Sequence, residues 1–215
     1  MNDYFLQEVP GMYRNTIKRI LAVVLSLAGI LLLGWLFVLL SIAIKLDSPG
    51  PVLFRQKRVG RGKSHFHILK FRTMRTDTPK DMPTHLLADP QQYITRVGRF
   101  LRKTSLDELP QLFNILAGDM AVIGPRPALW NQYDLIAERD RYGANDVRPG
   151  LTGWAQINGR DELPIDVKAR FDGEYVENLS FFFDLKCFLG TIKAVVSSDG
   201  VVEGGTGAMK VKNRE

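Results

Sequence analysis

A chain of 215 residues can form one domain of ordinary size, or a smaller domain carried on an anchor. Hydrophobic residues at 45% and charged residues at 24% exclude wholesale disorder, and the single cysteine, Cys187, excludes an internal disulfide and a thiolate metal cluster. Lysine and arginine outnumber aspartate and glutamate by 29 to 23, a balance that suits phosphates, acidic lipid headgroups or nucleic acid without choosing among them.

The apolar residues are concentrated near the N-terminus. From Ile20 to Ile44 there are 25 consecutive residues without a charge, interrupted only by Ser26, Gly29, Gly34 and Ser41. As a helix this run covers roughly 37 Å at about 1.5 Å per residue, enough to cross or deeply enter a bilayer. A secretory leader has a core of about 7–15 residues ending in small residues. This run ends instead in Lys45-Leu46-Asp47-Ser48-Pro49. A helix buried in a soluble core is the other alternative, and the charge-free length argues against it. The run therefore predicts a membrane anchor.

Cytoplasmic flanks of such segments carry excess lysine and arginine. Here Arg14, Lys18 and Arg19 precede the run, and Lys45, Arg55, Lys57, Arg58, Arg61 and Lys63 follow it. Basic residues on both sides leave two topologies: a span with the heavier C-terminal flank inside, or a bent, re-entrant helix with both ends on the cytoplasmic side. Gly29 and Gly34 are candidates for the bend, but no proline lies within the run.

Beyond the anchor, Ser48-Pro49-Gly50-Pro51 predicts a turn, and Val52–Val59 and His65–Met74 alternate as two short strands around Gly60-Arg61-Gly62. Thr76–Pro90 is polar and proline-bearing, a loop. Gln91–Lys103 predicts a helix with Arg96, Arg99 and Arg102 on one face and Val97, Phe100 and Leu101 on the other. A second helix is expected from near Ser105 to Ala117, stopped by Gly118. A brief strand follows at Ala121–Ile123, then a helix over Ala128–Arg141, a loop over Arg148–Trp154, and weaker helices at Asp161–Tyr175 and Leu185–Ser197. The aromatic segment Leu179–Val196 suits a membrane-surface helix and a core helix equally well. The fold class is α+β: a hydrophobic re-entrant or spanning helix in residues 1–47, a small cytoplasmic domain of helices and short strands in 48–198 with interfacial amphipathic helices, and a basic tail in 199–215.

Asp107 and Glu108 stand in Ser105-Leu106-Asp107-Glu108-Leu109-Pro110. Ser105 and Glu108 have the spacing of a capping box, and acids suit a helix N-terminus, so a purely structural role is available. The same carboxylates could instead divide a reaction on phosphate, one attacking phosphorus and the other holding a divalent cation. Arg126 lies between two prolines in Gly124-Pro125-Arg126-Pro127, which presents its guanidinium from a stiff loop. Arg148, Arg160, Arg102, Lys70 and Arg72 are further cations beside turns and strand ends; each alone reads as a solvated charge. His65 and His67 share one strand face but have no third ligand nearby for zinc. The basic face Arg96, Arg99, Arg102 and Lys103 could touch nucleic acid, yet no nucleic-acid-binding signature accompanies it.

Taken together, Phe54-Arg55-Gln56-Lys57-Arg58-Val59-Gly60, Lys70-Phe71-Arg72-Thr73-Met74 and the long segment from Leu101 to Asn114 resemble the motifs of the bacterial sugar transferase family. These are the monotopic polyprenyl-phosphate sugar-1-phosphate transferases. Gly118-Asp119-Met120, Ile123–Pro127 and the segment from Arg148 to Arg160 continue the same series in order, so the resemblance covers nearly the whole chain to about residue 197.

The resemblance implies a phosphoglycosyl transferase at the cytoplasmic face of the bacterial inner membrane. It would take a nucleotide-activated sugar, usually a UDP-sugar, release UMP, and pass the phosphosugar to polyprenyl (undecaprenyl) phosphate through a phosphosugar-aspartate intermediate. Asp107 matches the nucleophile and Glu108 the Mg²⁺-associated carboxylate. Arg102, Arg126 and Arg160 match phosphate contacts, with Arg148, Lys70 and Arg72 as further candidates. Members commonly bend the membrane helix at a Ser-Pro pair, where this chain has Leu33-Gly34-Trp35-Leu36. Membrane lipid is implied as a partner and nucleic acid is not. The oligomeric state stays open, a homo-oligomer among the options, as do the sugar and the glycan pathway. The alternatives are a nucleotide-sugar pyrophosphate hydrolase and a membrane-anchored nucleic-acid-binding protein.

Overall fold

The computed structural model describes residues 10–79, 89–159 and 163–196. Its dominant element is helix α1, Lys18–Asp47, entered through a π turn at Tyr13–Ile17. The helix assignment is continuous through Gly29 and Gly34, the two positions the sequence offers for a bend. Without proline every internal N–H keeps its acceptor, and a single glycine weakens a helix by only about 1 kcal/mol.

One stripe of α1 packs against the rest of the molecule along its whole length. Ala22 joins Phe66, Ile68, Ile115 and Met120 in one apolar cluster, and Leu40 and Ile44 join Phe71 and Leu101 in another. Both ends are fastened too. At the start, Lys18 bonds Tyr175 and Asp184, and Arg19 donates to the carbonyls of Ile115 and Leu116. At the finish, Asp47 accepts the Val97 N–H at 2.9 Å. The opposite face exposes Ile20, Val24, Leu27, Leu31, Leu32, Trp35, Val38, Leu39, Ile42 and Leu46. Only 11% of its most apolar window is buried, so α1 is not the core helix of a soluble domain.

The two expected strands form an antiparallel hairpin, β1 Leu53–Val59 with β2 His65–Phe71, in the register Leu53↔Phe71 to Val59↔His65. The turn contains Gly62 at φ 61°, a conformation that costs glycine little. Strand period places Phe66, Ile68 and Lys70 on one face of β2, so Lys70 points with the apolar residues toward the interior. Arg72, just beyond β2, is buried and donates to the carbonyls of Ser48, Pro49 and Pro51. It ties the turn after α1 to the hairpin, and its donors are used there.

Helix α2 runs Arg96–Thr104, with Thr95 as its N-cap accepting from the Gly98 N–H at 3.0 Å. The helix expected over Gln91–Lys103 starts later because this cap supplies its first acceptor. Phe100 is exposed rather than packed with Val97 and Leu101, since i and i+4 define the inward stripe of so short a helix. Helix α3 covers Gln111–Ala117 and stops at Gly118 in the left-handed conformation, as the sequence suggests. Asn114 locks α3 to β2 by accepting from Leu69 N–H at 2.9 Å and donating to the His67 carbonyl at 2.8 Å.

Strand β3, Ala121–Ile123, pairs in parallel with β4, Gly150–Thr152, within the segment expected to be a loop. A Cβ on Gly150 would lie 2.1 Å from the Gly124 nitrogen, so the pair of motif glycines lets two backbones touch. Helix α4 (Tyr133–Asp140) packs on the later α6 (Ile165–Glu177) through the buried Arg139–Asp172 ion pair at 2.6 Å; the short α5 (Trp154–Ile157) lies between them in sequence. Helix α7, Phe181–Val196, buries one face and leaves an apolar one exposed. Asp184 and Cys187 face inward, while Phe181, Phe182, Leu185, Phe188, Leu189 and Ile192 are exposed. Arg160, the Asp161-Glu162 pair and the basic tail lie outside the described residues.

Candidate active site

Asp107 and Glu108 do not open a helix. They lie in a single 3₁₀ turn, Leu106–Glu108, between α2 and α3. Ser105 is the C-cap of α2, with φ 56° and its N–H directed back to the Leu101 and Arg102 carbonyls. Its side chain caps nothing, so the S-x-x-E pattern does not form a capping box. Pro110, immediately before α3, lets that helix begin without an N–H at its cap position. The acid pair is thus set on a tight connector whose backbone is held from both sides.

With no capping role, the Glu108 carboxylate turns to cations. Lys70 Nζ donates to Glu108 Oε1 at 2.7 Å and lies 3.9 Å from Asp107 Oδ2. Arg126 donates to the same Oε1 at 2.7 Å. Burial pushes the Glu108 carboxyl up, but the charges and hydrogen bonds of Arg126 and Lys70 outweigh it and hold the group ionised far below the ordinary range. Asp107 has the opposite balance: burial raises it most, Lys70 pulls it down, and the Glu108 charge raises it again. Arg102 adds a third positive field, its guanidinium oriented by a 2.9 Å bond from Nε to Thr73 Oγ1. Two neighbouring carboxylates are therefore differentiated, one permanently charged and one whose ionisation is more costly.

The fold brings Lys70, Arg102, Arg126 and the Asp107-Glu108 pair together from four stretches of chain. Arg126 arrives because β3 pairs with β4 and delivers the Gly124–Pro127 loop to the site; Gly124 N–H bonds the Thr152 carbonyl at 2.8 Å. Arg72 and Arg148 are not brought there. Arg72 serves the turn after α1, and Arg148 donates to the Gly118 carbonyl at the far end of α3 from the acid pair. Thr73, which aims Arg102, and Asn114, which fixes α3 under the acid turn, were not singled out from the sequence. Both lie inside the motif series, but hydroxyl and amide partners reveal their roles only in three dimensions.

The bacterial sugar transferase family matches residues 13–198. The chain belongs to that family. The sugar transferase EpsL of Bacillus subtilis is 43% identical over 166 residues, covering 77% of this chain and 79% of the relative. Two relatives named UDP-glucose:undecaprenyl-phosphate glucose-1-phosphate transferase are similar as well. That of Caulobacter vibrioides is 41% identical, covering 85% of this chain and 70% of its own. That of Escherichia coli is 40% identical over 84% of this chain, which spans only 40% of the relative's length.

For this family member the donor set at the acid turn can be compared with the needs of a divalent cation. Among the described residues no group of three or more His, Cys, Asp or Glu side chains converges. Mg²⁺ is often held by one or two carboxylates with substrate phosphates and water completing its shell. Glu108 fits that mode as an ionised carboxylate beside Asp107, although its Oε1 already receives two cationic donors.

Proposed function

We propose that this chain transfers a sugar-1-phosphate from a UDP-sugar to undecaprenyl phosphate. The observation that carries the reading is the buried Asp107 beside a permanently ionised Glu108, within a set of cations suited to a pyrophosphate. Family membership and the undecaprenyl-phosphate acceptor in two relatives' names support it.

In the first step an Asp107 carboxylate oxygen attacks the sugar-bearing phosphorus, and the bond to the bridging oxygen breaks with its electron pair leaving on UMP. In the second, an oxygen of the polyprenyl phosphate attacks the same phosphorus and the Asp107 carboxylate leaves. One nucleophile can thereby serve two unlike substrates in turn. Lys70, Arg102 and Arg126 neutralise phosphate oxygens as charge develops, and they hold the donor in line with Asp107. Glu108 orients Lys70 and Arg126 and would hold Mg²⁺, which supplies further charge neutralisation on the phosphates when bound. Arg160 is assigned to phosphate binding by its motif alone.

The acceptor carries its charge at the end of an apolar tail, so the site must open at the bilayer surface. The lipid-facing stripe of α1 and the exposed aromatic face of α7 supply that contact. Because both ends of α1 are fastened to the same domain, the reading favoured here is monotopic, with the helix immersed from one side. Basic residues at both ends support the cytoplasmic face of the inner membrane as that side.

The test is intact mass spectrometry of the full chain with Mg²⁺ and a panel of UDP-sugars, without polyprenyl phosphate. The expected result is a gain of one sugar phosphate that is absent in Asp107→Asn. Full turnover by Asp107→Asn would eliminate the covalent route. UMP release continuing past one turnover without polyprenyl phosphate would favour a hydrolase instead.

A further inference from the structure

The N-terminal end of α1 meets the C-terminal end of α3 around a partly open pocket. Its wall carries Arg14, Lys18, Arg19, Arg61 and Arg148, with Asp146 as the lining carboxylate among the described residues. The pocket sits at the opposite end of α3 from the acid turn. Arg19 donates to the Ile115 and Leu116 carbonyls and Arg148 Nε to the Gly118 carbonyl at 3.0 Å, whereas Asp107 and Glu108 precede the first residue of the helix.

Cations at a helix C-terminus have an ordinary explanation, since the helix end carries about half a negative charge. That charge is too small for this cluster. Lys18 is matched by Asp184. The hydrogen bonds of Arg19, Arg61 and Arg148 go to backbone carbonyls, Arg61 Nε reaching the Asp146 carbonyl at 3.2 Å, and a carbonyl accepts a proton without cancelling a charge. With Arg14 on the same wall, four guanidiniums face one carboxylate and one helix end. Burial, and then the Arg61 and Arg19 guanidiniums, lower the proton affinity of Arg148, as expected where like charges crowd together. Holding such a cluster costs folding free energy that an anion would recover.

We propose that this pocket is a second binding site, separate from the acid turn, for the phosphate group of an anionic ligand. Guanidinium forks match tetrahedral oxyanions, and several of them around one partly open cleft select phosphate over a lone carboxylate. The exposed apolar residues Ile20, Leu21 and Val24 begin directly after Arg19 along α1, so a phosphate here lies at the border of the lipid-facing stripe. That position suits the headgroup of an anionic phospholipid; a soluble phosphate would use the same contacts.

The test uses the detergent-purified full chain and needs no turnover. Native mass spectrometry would follow retention of dioleoylphosphatidylglycerol against dioleoylphosphatidylcholine, and calorimetry would follow inorganic phosphate. The expected result is saturable retention of phosphatidylglycerol over phosphatidylcholine, reduced at least about tenfold in Arg14→Gln/Arg61→Gln and in single Arg14→Gln. Lysine at both positions should retain most of the binding, because it keeps the charge. Phosphate binding as tight as the lipid's, with the same sensitivity to the variants, would identify a soluble ligand for the same site. Asp107→Asn, which alters the acid turn without loosening the fold, should retain the lipid at this pocket. The proposal is overturned if neither probe saturates, if the Arg14→Gln and Arg14→Gln/Arg61→Gln variants bind unchanged, or if Asp107→Asn abolishes retention.

Discussion

Asp107 and Glu108 are neighbours in sequence, yet their surroundings set them against each other. Glu108 receives Lys70 and Arg126 at 2.7 Å each, while Asp107 lies 3.9 Å from Lys70 and is dominated by burial. Because the Asp107 carboxyl is raised, the ionised fraction, the form proposed to attack, falls as pH drops through a value above that of an ordinary aspartate. A pH–rate profile should show its acidic limb displaced upward accordingly, with Glu108 still ionised throughout. For stability the two acids have opposite signs. Glu108, lowered on folding, contributes stability that is present above its unfolded value and is lost as pH falls toward its folded one. Asp107, raised on folding, weakens the native state once both forms are ionised. Asp107→Asn should therefore melt at or above the wild-type temperature at neutral pH while losing all turnover. Glu108→Gln removes the counter-charge from two cations and should cost about 3 kcal/mol in denaturant unfolding, the lower end for a broken buried pair because Arg126 is a third exposed.

At the scale of elements, the site depends on close backbone contacts that its motifs contain without advertising. Gly98 sits where a Cβ would fall 2.0 Å from the Thr73 carbonyl oxygen. That contact brings α2 against the end of β2, so that Thr73 can orient Arg102. Gly98→Ala must push the two apart, with an expected loss of about 1–3 kcal/mol in denaturant unfolding and a fall in activity beyond what stability explains. Asp47 provides an independent check on how α1 is held. Its carboxylate accepts from the Val97 N–H, and Asp47→Ala should cost about 1 kcal/mol, as loss of a helix-start acceptor does elsewhere. An unchanged unfolding midpoint would show that this end of α1 is not fastened there.

Over the whole molecule, α1 is both an exposed apolar surface and part of the core. Ala22, Leu40 and Ile44 close the clusters that hold Phe66, Ile68, Phe71, Leu101 and Ile115. A chain beginning at residue 48 exposes those clusters, and the expected outcome is aggregation rather than a soluble domain, as read by size-exclusion chromatography. The one-sided placement proposed for α1 makes a second prediction. Cysteines at Asn15 and Lys45, near its two ends, should react with a membrane-impermeant maleimide from the same side of oriented vesicles. Buried Cys187 stays silent in that experiment. Labelling of the two positions from opposite sides would establish a span.

Much of this protein was legible along the chain. The 25-residue charge-free run, the hairpin around Gly60–Gly62, the Gly118 stop and the ordered motif series are local or periodic features, carried by neighbouring residues whatever the rest does. What the sequence could not decide depends on atoms far apart in the chain. The capping box that the Ser105–Glu108 spacing allows does not form because Ser105 is used to close α2, and only the arrival of Lys70 and Arg126 gives Glu108 a better partner. Arg72 and Arg148 had the same local credentials as Arg126, yet carbonyls at Ser48, Pro49, Pro51 and Gly118 take them away from the acid pair. A charged side chain pairs with whatever partner the packed chain places within about 3 Å. Charge and spacing therefore nominate candidates, and tertiary contacts select among them.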